Sequence, residues 1–282
     1  MPNVTIDDVA RLSVIFAQKK WKIDENLPGK DTTVFERFIK LMEKFNPEER
    51  DLLFFQIERF VRIEFVEYVE SLNRIADELC KSDNFDKIIV IPMKNRKDFA
   101  KQATKSGDLI SYLLQTMLTA RGKIVYTFTD ISAKLIRSKL AGDVSLIIGV
   151  DDFIGSGKTA IEFIENVEDL YKIYKPSIYV ASICALDVGY NRIKEKTENV
   201  FVDVRVNRGI SDVAEWDEKT KIQQKIVMTG IESNIRIGDE YKFGFMKSEA
   251  LVKMIRTPNN TFPIYWCSTD QSGASWPSPF PR

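Results

Sequence analysis

The residues with the clearest chemical capacity lie in LIIGVDDFIGSGKT at 146–159. An apolar strand there runs into two consecutive acids, Asp151 and Asp152, followed by Gly155-Ser156-Gly157 and a helix opening at Lys158-Thr159. The N–H groups of a helix start converge on an anion, and in an open α/β sheet ligands bind beyond the carboxyl ends of the strands. Glycines in such a loop permit left-handed torsions and close approach to a phosphate. The segment therefore offers phosphate capture beside a carboxylate pair. It is not a Walker A loop. That motif needs a glycine five positions before the glycine of GK, and counting back from Gly157 reaches Asp152. Two capping acids and a glycine turn that simply join strand to helix are the purely structural reading of the same residues.

The segment resembles the 5-phosphoribosyl-1-diphosphate signature of the type I phosphoribosyltransferases: apolar strand, two acids, two apolar residues, then a loop of small residues. VDDFIGSGKT fits over its whole length, and its closing GKT and the later VASICAL at 180–186 are similar to the purine-salvage branch. The resemblance implies that Asp151 and Asp152 are the catalytic acids, bonding the ribose 2- and 3-hydroxyls and indirectly assisting Mg2+. Gly155, Ser156, Gly157, Lys158 and Thr159 would cradle the 5-phosphate. Ionised acids at the ribose would favour the positive charge that develops on the sugar as diphosphate leaves. There is one departure. Purine-salvage members carry an acid at the first loop position, where it accepts a proton from the base, and here that position is Gly155. Asp130, Asp187 or the substrate itself are left as proton acceptors.

Two further elements of that family have counterparts by position. IPMKNRK at 91–97 follows the first sheet strand, and Pro92, Lys94 and Arg96 would form the diphosphate loop, the two cations neutralising the leaving group together with Mg2+. A solvated basic turn fits the same composition. Residues 98–107, DFAKQATKSG, would cover the site as a mobile loop, with Lys101 and Lys105 as contacts. A hood over the acceptor would come from KFGFMKSEALVKMIRTPNNTFPIYW, where Arg256, Asn259, Asn260 and Trp266 suit a planar polar ligand. Pro258-Asn259-Asn260 reads equally as turn chemistry. With the VDDFIGSGKT loop, this ending is similar to the phosphoribosyltransferase-like domain of bacterial conflict systems (PRTase-CE-like), including retron-associated effectors, over about residues 50–265. That resemblance implies anti-phage defence rather than salvage. It also implies an oligomer and partners such as a reverse transcriptase with its DNA–RNA product or a winged-helix protein.

The elements that must position these residues are legible as patterns. Residues 1–82 read as a helical extension, in which Asn46-Pro47 opens a long helix with apolar residues at helical spacing through Leu72. Phe54, Phe60 and Phe65 are assigned to its core-facing side. From 83 onward short apolar strands at 87–91, 123–128, 144–150, 178–186 and 200–206 alternate with helical segments at 107–120, 130–140, 158–174 and 188–197. This is the α/β pattern of a parallel twisted sheet covered on both faces, the type I phosphoribosyltransferase fold by resemblance. The expected organisation is a helical extension over 1–82, an α/β domain with its hood over 83–266, and a flexible tail over 267–282, where Pro, Ser and Gly dominate.

Composition excludes other chemistries. The chain has no histidine, so Ser-His-Asp and Cys-His pairs and HExxH zinc helices are ruled out. Lys+Arg and Asp+Glu number 41 each, which gives no global attraction to nucleic acid or acidic lipid. Cys80, Cys184 and Cys267 stand far apart without a CxxC pair, as expected of a reducing cytoplasm. The start, MPNVTIDDVARLS, lacks a signal-peptide pattern. The resemblance, not composition, implies two functions: Mg2+-dependent phosphoribosyl transfer to a nitrogen acceptor by a defence effector, or a non-catalytic module that senses the donor or a nucleotide and regulates a partner.

Overall fold

The computed structural model describes residues 4–26, 29, 31–82, 85–94, 105–132, 134–142 and 144–282. The chain divides into two compact units, Glu64–Val206 and the combination of Met1–Ile63 with Asn207–Arg282. These limits differ from the boundaries at 82 and 266 suggested by composition. The segment 64–82 groups with the sheet, and everything after 206 groups with the N-terminal helices.

The chain opens with three helices, α1 (Ile6–Lys19), α2 (Val34–Met42) and α3 (Pro47–Arg59). Each begins at a reciprocal cap: Thr5 with Asp8, Thr33 with Glu36, and Asn46 with Glu49, the last reinforced by Pro47 at the first helical position. The helix starting at Pro47 does not continue through Leu72. Phe60 turns extended (φ −66°, ψ 128°) and the chain enters a short strand, β1 (Val61–Arg62). A new helix, α4 (Phe65–Ser82), then begins. The break corrects one core assignment: Phe54 and Phe60 are buried, but Phe65 in the first turn of α4 is 52% exposed.

Glu64–Val206 is organised by a five-stranded, all-parallel sheet in the order β3-β2-β4-β5-β6. After α4 come β2 (Lys87–Pro92), α5 (Ser106–Ala120), β3 (Ile124–Thr127), α6 (Lys134–Leu140), β4 (Leu146–Ile154), α7 (Lys158–Leu170), β5 (Ser177–Leu186), α8 (Asp187–Lys194) and β6 (Val200–Val206). The central strands are buried almost throughout, as a sheet covered on both faces requires. Ile89, Ile147 and Val180 pack with Phe163, Ile164 and Val167 of α7. Ile88, Val90 and Ile148 alternate onto the other face, where α5 runs beside β2, β3 and β4 and α4 beside β5 and β6. Because β2 leads outward to β3 while β4 leads outward to β5 and β6, the strand order reverses between β2 and β4. The carboxyl ends of these two strands, paired through Ile91–Gly149 and Pro92–Val150, flank that switch point.

The other unit is completed by α9 (Glu218–Glu232) and β7 (Val252–Lys253), which pairs in parallel with β1. Its core joins Leu12, Phe16, Phe38, Leu53 and Phe60 from the N-terminal helices to Met228, Ile231, Phe262 and Tyr265. The last residues are packed into this core, contrary to the flexible tail suggested by their composition. Trp276 and Phe280 are both buried; the Phe280 N–H donates to the Tyr265 carbonyl at 2.9 Å, and Arg37 donates to the carbonyls of Trp276 and Ser278. Two large aromatic side chains outweigh the Pro, Ser and Gly around them. Among the described residues, no helix is long and apolar enough to cross a membrane.

Candidate functional site

The site is built at the end of β4. Residues Leu146–Val150 are buried, Asp151 is half-buried and Asp152 is 7% exposed, and the strand continues to Ile154 because Asp151 and Phe153 remain paired with Ser182 and Cys184 of β5. The two acids are held by different helices. Asp152 accepts a hydrogen bond from the Tyr68 hydroxyl of α4 at 2.9 Å. Asp151 Oδ1 accepts from the Ser106 hydroxyl at 3.0 Å and from the Asp152 N–H at 2.9 Å.

Burial, and then the charge of Asp152, push the Asp151 carboxyl well above the usual carboxylate range, against the opposing bonds from Ser106 and the Asp152 N–H. Adjacent carboxylates are hard oxygen donors, and Mg2+ is commonly held by one or two carboxylates completed by ligand phosphates and water. The donor set, two adjacent carboxyls of which Asp151 is disfavoured as an anion until a cation compensates it, therefore fits a divalent cation arriving with a phosphorylated ligand.

Beyond β4 the chain makes the turn 155–157 into α7. Gly157 caps this helix in a left-handed conformation (φ 76°), and a Cβ there would lie 2.8 Å from the Gly189 carbonyl oxygen. The start of α8 thus presses on the turn at a point where only glycine fits. The first-turn N–H groups of α7 have no helical partners by construction, so Lys158 and Thr159 present backbone donors at its end. The Lys158 ammonium lies 3.8 Å from Glu162, one turn on. The Arg192 guanidinium donates to the Ser156 carbonyl at 3.5 Å and adds a cation beside the turn.

Other expected residues fall variously. Lys94, at the end of β2, is buried and ion-paired with Asp108 of α5 at 2.7 Å, so it is no solvated surface turn residue. Pro92 completes β2 in register with Val150. Arg96 and Lys101 lie outside the described residues. Lys105 is exposed just before α5, where its N–H donates to Asp108. Of the proton-acceptor candidates, Asp130 closes a local turn with Ser132, and Asp187 is held by Arg205 at 2.6 Å, whose guanidinium lies over the Tyr190 ring.

Arg256, Asn259, Asn260 and Trp266 belong to the other unit. Bonds within the segment hold their own loop together: Asn260 donates to Ser248, the Asn259 carbonyl accepts from the Phe245 N–H, and the Trp266 indole donates to the Thr261 carbonyl. This is the turn chemistry open to Pro258-Asn259-Asn260. Arg256 is exposed.

Tyr68, Ser106, Asp108 and Arg192 were not singled out by sequence reasoning. Tyr68 sits on an apolar helical stripe and reads as core. Only Ser106-Gly107-Asp108 carried a signal, as a helix start following a basic loop.

The family model PRTase-CE matches residues 35–282. No match is found among curated proteins. Among solved structures, the chain is similar to the Helicobacter pylori xanthine-guanine-hypoxanthine phosphoribosyltransferase, at 13% identity and TM-score 0.34, over 60% of this chain and 97% of that one. It is similar to a hypoxanthine-guanine-xanthine phosphoribosyltransferase at 16% identity and TM-score 0.33, over 54% and 85%. It is also similar to a hypothetical protein from Neisseria gonorrhoeae with bound ppGpp, at 14% identity and TM-score 0.36, over 61% and 97%.

Proposed function

The chain belongs to the PRTase-CE family, and from that premise we propose that it binds 5-phosphoribosyl-1-diphosphate with Mg2+ at the β4–α7 turn and transfers the phosphoribosyl group to a nitrogen acceptor. The observation that carries the reading is the coincidence at the sheet's switch point of two adjacent acids, one with a strongly raised proton affinity, and a glycine turn opening a helix. In this reading the backbone donors of residues 155–159 hold the 5-phosphate, while Asp151 and Asp152 hold the ribose hydroxyls. Tyr68 and Ser106 orient the two carboxylates through the bonds they already make. Bound through Asp151 and Asp152 with ligand oxygens, Mg2+ would supply charge neutralisation for the leaving diphosphate.

The physiological setting we propose is a bacterial anti-phage effector working with a retron-type reverse transcriptase and its DNA–RNA product, or with a winged-helix protein. This part rests on the resemblance of the donor loop and the C-terminal region. Mass spectrometry of small molecules and nucleic acids after brief induction tests the reaction: the wild type should add one phosphoribosyl mass to some species, and Asp151→Asn/Asp152→Asn should not.

A second reading has its own support. Gly155 supplies no carboxylate for an acceptor base, and Asp187 is engaged by Arg205. A sensor that binds the donor without turnover needs no proton acceptor. Diphosphate release separates the two: binding without release across bases, nucleosides and nucleic acids favours the sensor.

A further inference from the structure

Helix α5 begins across the ends of both strands that flank the switch point. Its residue Ser106 bonds Asp151, and Asp108 is ion-paired with Lys94. Between them Gly107 is seated so closely that a Cβ would lie 3.0 Å from Pro92 Cβ and 3.0 Å from the Val150 carbonyl oxygen. The turn is therefore fixed against β2 and β4, and the positions of its two polar side chains are fixed with it.

The Lys94–Asp108 pair is largely buried. The Lys94 side chain is 7% exposed and that of Asp108 is 19% exposed. Asp108 Oδ1 is fully buried, and Lys94 Nζ is the group that meets it; Oδ2 is occupied by the Lys105 N–H at 2.7 Å. A buried ammonium needs an anion beside it, and removing one partner of such a pair leaves an uncompensated charge. Asp108 is also in the first turn of its helix, where a negative charge is favoured.

We infer that Asp108 is the resident counter-ion of Lys94, holding that buried ammonium at the switch point until the diphosphate group of a ligand replaces the carboxylate. The identity of the ligand group rests on the proposed function. The ion pair itself does not. Asp108 is on this account a positioning residue: it holds the Lys94 ammonium in place when no ligand is bound, and it competes with the ligand for it. Deleting its charge should weaken the empty protein and strengthen the grip on the anion.

The test is calorimetric titration of the full chain with inorganic diphosphate, in wild type, Asp108→Asn, Lys94→Met and the double variant, with melting temperatures alongside. Asp108→Asn should bind diphosphate at least about tenfold more tightly than wild type. It should melt lower when empty and gain more from diphosphate. Lys94→Met should abolish the gain, and in the double variant the empty protein should recover stability. No gain in Asp108→Asn, or a gain that survives Lys94→Met, overturns the inference. Should Asp108→Asn not fold, lysine-selective NMR on the wild type decides: the resonance assigned by Lys94→Arg should shift on adding diphosphate, and an unmoved resonance overturns the inference. Failure of wild type to bind the phosphoribosyl donor contradicts the proposed function alone, since the diphosphate gain in Asp108→Asn is read independently.

Discussion

Tyr68 and Asp152 meet in the interior of the sheet unit, 1% and 7% exposed, with the phenol donating to a carboxylate oxygen at 2.9 Å. A carboxylate so buried depends on its donor. Tyr68→Phe should cost about 1–3 kcal/mol, because it leaves that oxygen unpaired without creating a cavity. Urea denaturation reads this directly, and donor affinity should fall with it.

Asp151 should respond in the opposite sense. Its folded-state pKa is raised, so its contribution to stability falls as pH climbs from the ordinary carboxylate range through the raised value. At neutral pH the folded protein carries a disfavoured proton equilibrium that Asn does not have. Asp151→Asn should therefore be as stable as wild type or more so at pH 7, while losing the response to donor and Mg2+. A large loss of stability would contradict the charge-burial account.

Glu232 makes the other unit sensitive to pH. Burial pushes its carboxyl up to about 8 from 4.5, although both oxygens accept from the Phe243 N–H. The folded state then holds a proton that the unfolded chain releases, so stability should fall as pH rises from 4.5 to about 8. The slope should approach about 1.4 kcal/mol per pH unit. Denaturation curves across that window should flatten in Glu232→Gln, and an unchanged slope would refute the assignment.

Gly157→Ala combines a left-handed backbone with a clash against the Gly189 carbonyl. It should cost about 1–3 kcal/mol of stability and remove phosphate binding, since the turn cannot keep its form. Thermal shift with and without donor measures both effects.

At the C-terminus, Phe280→Ala should cost about 3–5 kcal/mol, because its ring lies against Phe38, Phe60 and Trp21. Arg282, beyond it, is exposed, and Arg282→Ala serves as the control. A Phe280→Ala protein of wild-type stability would show that the tail is not part of the core.

The sheet was readable because buried parallel strands are nearly continuous apolar runs, as in Ile88–Ile91 and Leu146–Val150. The end of β4 was not, because two acids interrupt the hydrophobic signal while the backbone ladder to Ser182 and Cys184 continues. Similarly, Val61 falls within a run of apolar residues at helical spacing, yet its N–H and that of Ile63 donate to the carbonyls of Leu251 and Lys253, distant partners that local spacing cannot reveal. The donor loop was legible as a motif, since its chemistry lies in consecutive residues. Its supports were not: Tyr68 of α4 and Ser106 and Asp108 of α5 lie outside the loop and acquire their roles only when those helices pack on the sheet. Asp151's raised proton affinity is equally a product of folding.

The central claim, donor binding by Asp151, Asp152 and the turn at 155–159, is tested most directly by titrating the full chain with 5-phosphoribosyl-1-diphosphate and Mg2+ in a calorimeter, beside Asp151→Asn/Asp152→Asn. The account predicts saturable wild-type binding with a dissociation constant between about 1 μM and 1 mM, lost in the folded double variant. Equal heats from both proteins, or none from the wild type, would contradict it.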